Sequence, residues 1–128
     1  MEFPNDLKYS KEHEWVRVMD GNTAVIGITD FAQDELGDIV FVETPAIGRN
    51  LKAGETFGVA ESVKTVSDLY CPVTGQVIEV NTELEGRPEL VNERPFGEGW
   101  IIKVKMENPK ELENLLSAGD YRGLTQKG

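Results

Sequence analysis

Lys64 is the residue in this sequence whose surroundings most favour a chemical role. It stands between residues 57–63 and residues 65–70, two segments rich in β-branched and aromatic side chains that predict the strands of a hairpin. A lysine at the tip of such a hairpin is exposed, and its flexible stem carries an amine to which another group can be attached covalently. The alternative is an ordinary surface lysine that contributes only charge, as most exposed lysines do.

Two other reactive side chains, His13 and Cys71, are the only histidine and the only cysteine in the sequence. His13 lacks the second histidine of a helical HExxH zinc motif, because position 17 is Arg17. One histidine and one cysteine also cannot form a common four-ligand zinc site. Cys71 would need a nearby base to act as a nucleophile, and only His13 could serve. We therefore predict a structural role for His13 and a small, partly buried side chain at Cys71.

The stretch ESVKTVSDLYCPVTGQVIEVN at residues 61–81 resembles the lipoylation hairpin of the glycine cleavage H-protein family. Further blocks resemble other parts of that family in the same order. They are KEHEWV at 11–16, GITDFAQ at 27–33, LGDIVFVE at 36–43, PELVN at 88–92 and GEGW at 97–100. The resemblance extends from about Tyr9 to Leu124, which is nearly the whole chain.

This resemblance implies that Lys64 carries a lipoate group in amide linkage. Biotinyl domains have a similar hairpin but usually flank the lysine with methionines, whereas Val63 and Thr65 flank it here. The family's role implies a carrier of the aminomethyl group of glycine rather than an enzyme. Its expected partners are a pyridoxal-phosphate glycine decarboxylase, a tetrahydrofolate-dependent aminomethyltransferase, dihydrolipoyl dehydrogenase and a lipoate-attaching enzyme.

Three acidic residues are candidates for a groove that holds the loaded arm, because members of the family fold that arm against their own surface. The arm then bears a protonated amine, which carboxylates bind through charge-assisted hydrogen bonds. We expect Glu14 and Asp68 to contribute, with Glu35 as a weaker third because some relatives carry histidine there. The alternative is that all three are solvated acids of an acidic chain.

The charge balance excludes some classes of partner. Thirteen Lys and Arg residues against 23 Asp and Glu residues give a net charge of −10. Such a chain repels nucleic-acid phosphates and favours basic docking surfaces on protein partners. No apolar run approaches the roughly 20 residues of a membrane span, and no signal peptide is evident. We expect a cytoplasmic protein if the source is bacterial or archaeal, and a mitochondrial one if it is eukaryotic.

The pattern of short strands with glycine turns predicts a mainly β protein, either a sandwich or a small barrel. The resemblance narrows this to a lipoyl- or biotinyl-type sandwich of two small antiparallel sheets with short helices, including a C-terminal helical tail. We expect one domain over residues 1–128. Residues 82–99 are predicted to be mostly loop, and the strand at 100–105 is predicted to lie at a sheet edge because of its lysines.

Capping signals predict where the helices begin. Thr29 or Asp30 can cap a short helix that Gly37 ends, and Asp30 with Gln33 has the spacing of a capping box. Near the C-terminus, Asn108 is a predicted N-cap with Glu111 completing a box. A last short helix is predicted to start with Ser117 and Asp120 and to continue to about Leu124.

Three other functions remain open at this stage. An H-like lipoyl carrier could serve a sulfur-oxidising complex or relay lipoate to other enzymes. An enzyme could use Cys71 or His13, which would require turnover by the isolated chain. An interaction module could leave Lys64 unmodified, which the intact mass of the protein would reveal.

Overall fold

The computed structural model describes residues 1–126, which form nine strands, four α-helices and one 3₁₀ helix. The strands are β1 (Lys8–Tyr9), β2 (Glu14–Val18), β3 (Thr23–Ile28), β4 (Ile39–Glu43), β5 (Asn50–Leu51), β6 (Thr56–Ser62), β7 (Val66–Tyr70), β8 (Gly75–Val80) and β9 (Ile102–Met106). The helices are α1 (Asp30–Leu36), α2 (Glu83–Gly86), α3 (Leu90–Glu93), the 3₁₀ helix (Pro109–Asn114) and α4 (Ala118–Thr125). Across residues 1–126, no helix has the length and apolar character needed to cross a bilayer.

Two antiparallel sheets face each other across the main core. One has six strands in the order β1-β2-β3-β9-β8-β5, and the other has three in the order β4-β6-β7. Alternate side chains of each strand point inward, so both sheets contribute to one cluster that includes Val16, Ile26, Val77, Val104, Val42, Phe57, Ala60 and Leu69. The predicted fold class, a sandwich with short helices and a C-terminal helical tail, is confirmed.

A second, smaller cluster covers the opposite face of the six-stranded sheet. Trp15 and Val25 point to this face, where they meet Tyr9, Tyr121 and Ala118. The indole Nε1 of Trp15 donates to two backbone carbonyl oxygens, at 3.0 and 2.9 Å. The six-stranded sheet is therefore covered on one face by the small sheet and on the other, around Trp15 and Val25, by a second apolar cluster.

Strand β9 lies inside the six-stranded sheet, between β3 and β8, so its prediction as an edge strand was wrong. Lys103 packs its ammonium over the ring of Trp100, 4.9 Å from the centroid, and pairs with Glu79 at 3.2 Å. Lys105 is exposed on the strand. Exposed lysines here mark a solvated face of the sheet, whereas the sequence pattern was interpreted as an unpaired edge.

Short helices account for the other differences from the sequence predictions. Residues 82–99, predicted as loop, contain the single-turn helices α2 and α3, which bury Leu84, Leu90 and Val91. These turns are too short to show a helical period, and prolines and glycines surround them.

The predicted capping boxes form only in part. Thr29 caps α1 by accepting from the backbone N–H of Ala32 at 3.1 Å, whereas Asp30 accepts from the side chain of Gln33 at 2.8 Å. Asn108 caps the 3₁₀ helix as predicted. The carboxylate of Glu111, however, accepts from the backbone and hydroxyl of Thr74 at 2.7 and 2.8 Å, so no box closes there.

Candidate functional site

Lys64 lies in the tight turn that joins β6 to β7. The turn is closed by a hydrogen bond from the backbone N–H of Ser62 to the carbonyl of Thr65 at 2.8 Å. The hydroxyl oxygen of Ser62 also accepts from the N–H groups of Lys64 and Thr65, at 3.3 and 3.1 Å. Ser62 thus orders the turn, and the four residues that follow Ser62 are all exposed. Sequence reasoning did not single out Ser62, although a serine that bonds backbone N–H groups just after it is a known turn device.

The stem of Lys64 lies across the C-terminal end of α1. Gly37 ends this helix with φ +85°, and a Cβ built there would be 3.3 Å from Cε of Lys64. The backbone N–H of Val63 donates to the carbonyl of Asp38 at 3.0 Å, which ties the hairpin to the same place. Glycine is favoured here both by its left-handed conformation and by the space that the lysine stem occupies.

Asn92 holds the turn between α1 and β4 in place from helix α3. Its amide donates to the side-chain oxygen of Gln33 and to the carbonyl of Gly37, both at 2.9 Å, and accepts from the N–H of Ile39 at 2.8 Å. The support beneath the lysine stem therefore depends on a residue far away in sequence. In the sequence, Asn92 stands out only as part of the PELVN block.

A groove of about 280 Å³ opens beside this support, between α1 and β7. The three predicted acids, Glu14, Glu35 and Asp68, all line it. Its apolar lining comes from Ile28, Phe31, Ala32, Leu36 and Leu69. The groove lining is close to Lys64 along the chain, since Leu36 immediately precedes Gly37 and Ser67 follows Lys64 by three residues.

Glu14 differs from the other two acids because its side chain is almost completely buried, with 1% exposed. The Ser10 hydroxyl donates to one carboxylate oxygen at 2.7 Å, and the N–H of Tyr70 donates to the other at 3.1 Å. Burial nevertheless raises the pKa of Glu14 to about 8, because removal from water outweighs both hydrogen bonds. Glu35 and Asp68 are exposed at the rim of the groove.

His13 also lines the groove, and its packing agrees with the structural role expected of it. Its Nδ1 lies 2.8 Å from the hydroxyl of Tyr121, and its ring lies 4.9 Å from that of Phe31. The residue adopts φ +72°, a left-handed conformation in which histidine is less strained than most residues. Burial lowers the pKa of His13, although Glu12 and Glu35 act in the opposite direction.

Cys71 is fully buried, whereas the sequence had indicated a partly buried side chain. Its thiol donates to the carbonyl of Val73 at 3.0 Å. Burial raises the pKa of Cys71 to about 12, so the thiol remains protonated near neutral pH. A thiol is a weak nucleophile until it is ionised, so Cys71 is chemically inert in the folded protein.

Comparison with known proteins identifies the family. The family description "Glycine cleavage H-protein" matches residues 7–128. The chain belongs to the glycine cleavage H-protein family. It is 64% identical to the glycine cleavage system H protein of Symbiobacterium thermophilum, over 98% of this chain and 97% of that protein. It is 59% identical to the H protein of Carboxydothermus hydrogenoformans, over 97% of this chain and 95% of that one.

A solved structure agrees with the sequence matches. The crystal structure of a glycine cleavage system H protein from Mycobacterium marinum superposes with a TM-score of 0.85 at 40% identity, covering 94% of this chain and 96% of that one. Membership of the H-protein family identifies the chain as a carrier component of the glycine cleavage system, with a lipoyl-carrier role.

Proposed function

We propose that this protein carries the aminomethyl group of glycine on a lipoyl group joined by an amide bond to Nζ of Lys64. The observation that carries the proposal is the position of Lys64. The lysine is exposed at the tip of an ordered turn, and its stem lies against Gly37, the residue after Leu36 in the lining of a groove that combines apolar walls with three carboxylates.

The residues around Lys64 fit such a group. An acylated lysine loses its charge and continues as a hydrocarbon chain, which the apolar side chains of Phe31, Leu36 and Leu69 can cover. When bound, the lipoyl group supplies a disulfide that undergoes exchange at sulfur. The chain itself supplies a tether point, an adjacent shelter from water and acids placed to bind a cationic amine.

We assign the groove acids different roles. Glu14 meets the cargo amine at the buried end, where a positive charge favours ionisation of its carboxyl group despite burial. Asp68, four residues beyond Lys64, is proposed to bind the amine from the exposed rim. Glu35 on α1 is the third and weaker candidate, since it also lies at the rim.

The proposed route connects three enzymes. The carrier receives the aminomethyl group from the pyridoxal-phosphate glycine decarboxylase and presents it to the tetrahydrofolate-dependent aminomethyltransferase. Dihydrolipoyl dehydrogenase then reoxidises the arm, and a lipoate-attaching enzyme acylates Lys64 beforehand. One flexible tether can visit several active sites at high effective concentration. The net charge of −10 favours basic docking surfaces on these partners.

The test is co-expression with a lipoate ligase, followed by intact-mass measurement and peptide mapping. The whole mass increment should map to Lys64. Lys64→Arg should accept none, because arginine retains the charge but forms no such amide, while Lys52→Arg, at another exposed lysine, should be modified normally. Lipoylated protein should support glycine–carbon dioxide exchange only when its decarboxylase is added. Modification of the Lys64→Arg chain, or glycine turnover by the isolated protein, would contradict the proposal.

A further inference from the structure

Helix α1, which forms one wall of the groove, packs Ala32 and Leu36 against the main core, and hydrogen bonds fix each of its ends. None of its residues is fully buried, and its apolar side chains at positions 31, 32 and 36 are half-buried along the groove. A seven-residue helix has little stability of its own in water. The exact position of this wall therefore depends also on the groups that hold its two ends.

Tyr121 of α4 holds the N-terminal end of α1. Its hydroxyl lies 2.6 Å from the hydroxyl of Thr29, the residue that caps α1, and 2.8 Å from Nδ1 of His13. One buried oxygen thus contacts both the helix cap and the histidine ring that lines the groove beside it. These partners are 92 and 108 residues away in sequence.

The donors and acceptors around the Tyr121 hydroxyl must be mutually compatible. Thr29 already accepts from the N–H of Ala32, and Tyr121 has one hydroxyl proton to give. Either Thr29 donates to Tyr121 and Tyr121 to His13, or His13 donates to Tyr121 and Tyr121 to Thr29. Burial raises the pKa of Tyr121 to about 12, so the hydroxyl retains its proton near neutral pH. The tautomer of His13 and the cap of α1 are therefore coupled through one atom.

We propose that Tyr121 is a positioning residue for the groove, fixing the cap of α1 and the ring of His13 through its single hydroxyl. The inference rests on the proposed function, in which the groove shelters the loaded arm. In this role helix α4 not only covers the sheet but also fixes the position of α1, which forms one wall of the groove. No contact between Tyr121 and the cargo is required.

Tyr9 provides a matched control. It is as fully buried as Tyr121, and the two rings stack with centroids 4.7 Å apart and an angle of 4° between their planes. Its hydroxyl donates instead to the carbonyl of Pro4 at 2.7 Å. Tyr121→Phe and Tyr9→Phe therefore each remove one hydroxyl from the same aromatic stack, but only the first removes contacts to the groove wall.

The first measurements use the unmodified protein. His13 is the only histidine, so its imidazole nitrogen signals in an NMR spectrum are unambiguous. Tyr121→Phe should change these signals and accelerate hydrogen exchange of the amides of Ala32 and Gln33, which bond to Thr29, by about two- to tenfold. Tyr9→Phe should leave both readouts as in the wild type. Thr29→Ser, which keeps a hydroxyl and a cap, should also resemble the wild type.

The second measurement is the rate at which the lipoylated, loaded protein decomposes in water. One water molecule converts the S–CH₂–NH₃⁺ group to a thiol, formaldehyde and ammonium. We expect a rise on the order of threefold in Tyr121→Phe and no change in Tyr9→Phe. The groove-acid variants Glu14→Gln and Asp68→Asn serve as references for a groove that no longer holds the amine.

The outcomes separate the inference from the function on which it rests. Wild-type exchange and wild-type histidine signals in Tyr121→Phe would overturn the inference. Faster decomposition in Glu14→Gln and Asp68→Asn, with Tyr121→Phe like the wild type, would also overturn it and leave the proposed function intact. Unchanged decomposition in all the variants would overturn both.

Discussion

At the scale of single residues, the groove acids differ most in what surrounds their carboxylates. Glu14 is buried and accepts hydrogen bonds from Ser10 and Tyr70, whereas Asp68 and Glu35 face solvent at the rim. An unoccupied buried carboxyl with a pKa near 8 retains its proton for much of the time at pH 7. The arrival of a cationic amine would favour its ionisation, so in the proposed function Glu14 distinguishes a charged cargo from an uncharged arm.

The groove acids should therefore slow spontaneous loss of the cargo. A charge-assisted hydrogen bond contributes about 1.5–3 kcal/mol, so Glu14→Gln and Asp68→Asn should each raise the rate of ammonia release from the loaded protein on the order of tenfold. Glu35→Gln should have a smaller effect, about twofold. Asp34→Asn is the matched control, because Asp34 is an exposed acid of α1 that does not line the groove.

The same variants should behave alike in one respect. The reduced, unloaded arm bears no cation, so the rate at which dihydrolipoyl dehydrogenase oxidises it should be similar in all of them. Equal ammonia-release rates in Glu14→Gln, Asp68→Asn and the control would mean that these acids are only solvated or structural charge.

At the scale of elements, local sequence patterns indicated where the strands lie better than they indicated which strands pair with one another. Strand β3 begins directly after Asp20-Gly21-Asn22, a turn signal that the sequence alone shows. The place of β9 in the sheet was predicted wrongly, since exposed lysines occur both on a sheet face and at a sheet edge. Position in a sheet depends on pairing between distant segments, which a local pattern does not contain.

For the candidate site, too, the sequence indicated some residues and missed those whose contacts are distant along the chain. The resemblance to a family indicated Lys64, Glu14, Asp68 and Glu35, and the last three line one groove. The supporting residues Asn92 and Tyr121 were not recognised. Asn92 contacts residues 53 to 59 positions away, and Tyr121 contacts residues 92 and 108 positions away. Neither contact leaves a periodic or spacing signal in the sequence.

Asn92 should prove important for the turn that supports the lysine stem. Asn92→Ala removes three hydrogen bonds and leaves the N–H of Ile39 without its acceptor. We expect the free energy of unfolding to fall by about 2–4 kcal/mol, measured by urea denaturation. Asn114→Ala, at an exposed asparagine, is the control, and an equal loss in that variant would contradict the role assigned to Asn92.

At the scale of the whole molecule, the apolar interior is divided into two clusters by the six-stranded sheet. The cluster between the sheets supports the hairpin that bears Lys64, and the cluster on the other face contains Tyr9 and Tyr121. Glu14 is the first residue of strand β2 and lines the groove. Because burial raises the pKa of Glu14, we expect the stability of the folded protein to depend on the protonation of this one carboxyl group.

Stability should decrease as the pH rises towards 8. Unfolding returns Glu14 to water, where its pKa is near the ordinary value of 4.5, whereas in the folded protein the pKa is about 8. Between these values the folded state binds more protons than the unfolded state, so the contribution of Glu14 to the free energy of unfolding falls with pH, by up to about 1.4 kcal/mol per unit.

Glu14→Gln isolates this contribution because glutamine does not titrate. The difference in free energy of unfolding between the variant and the wild type should shift steadily in favour of the variant from pH 5 to pH 8 in urea titrations. Parallel pH profiles for the two proteins would show that Glu14 is not protonated in the folded state.

The burial of Cys71 has a consequence for electron flow. A carrier of a disulfide and dithiol would be at risk from its own sulfur, since a neighbouring thiolate can attack the disulfide and trap it as a mixed disulfide. Here the only cysteine is buried, protonated and bonded to the carbonyl of Val73. We therefore expect no exchange between an arm on Lys64 and the thiol of its own chain, so that the two electrons of a reduced arm pass to another molecule.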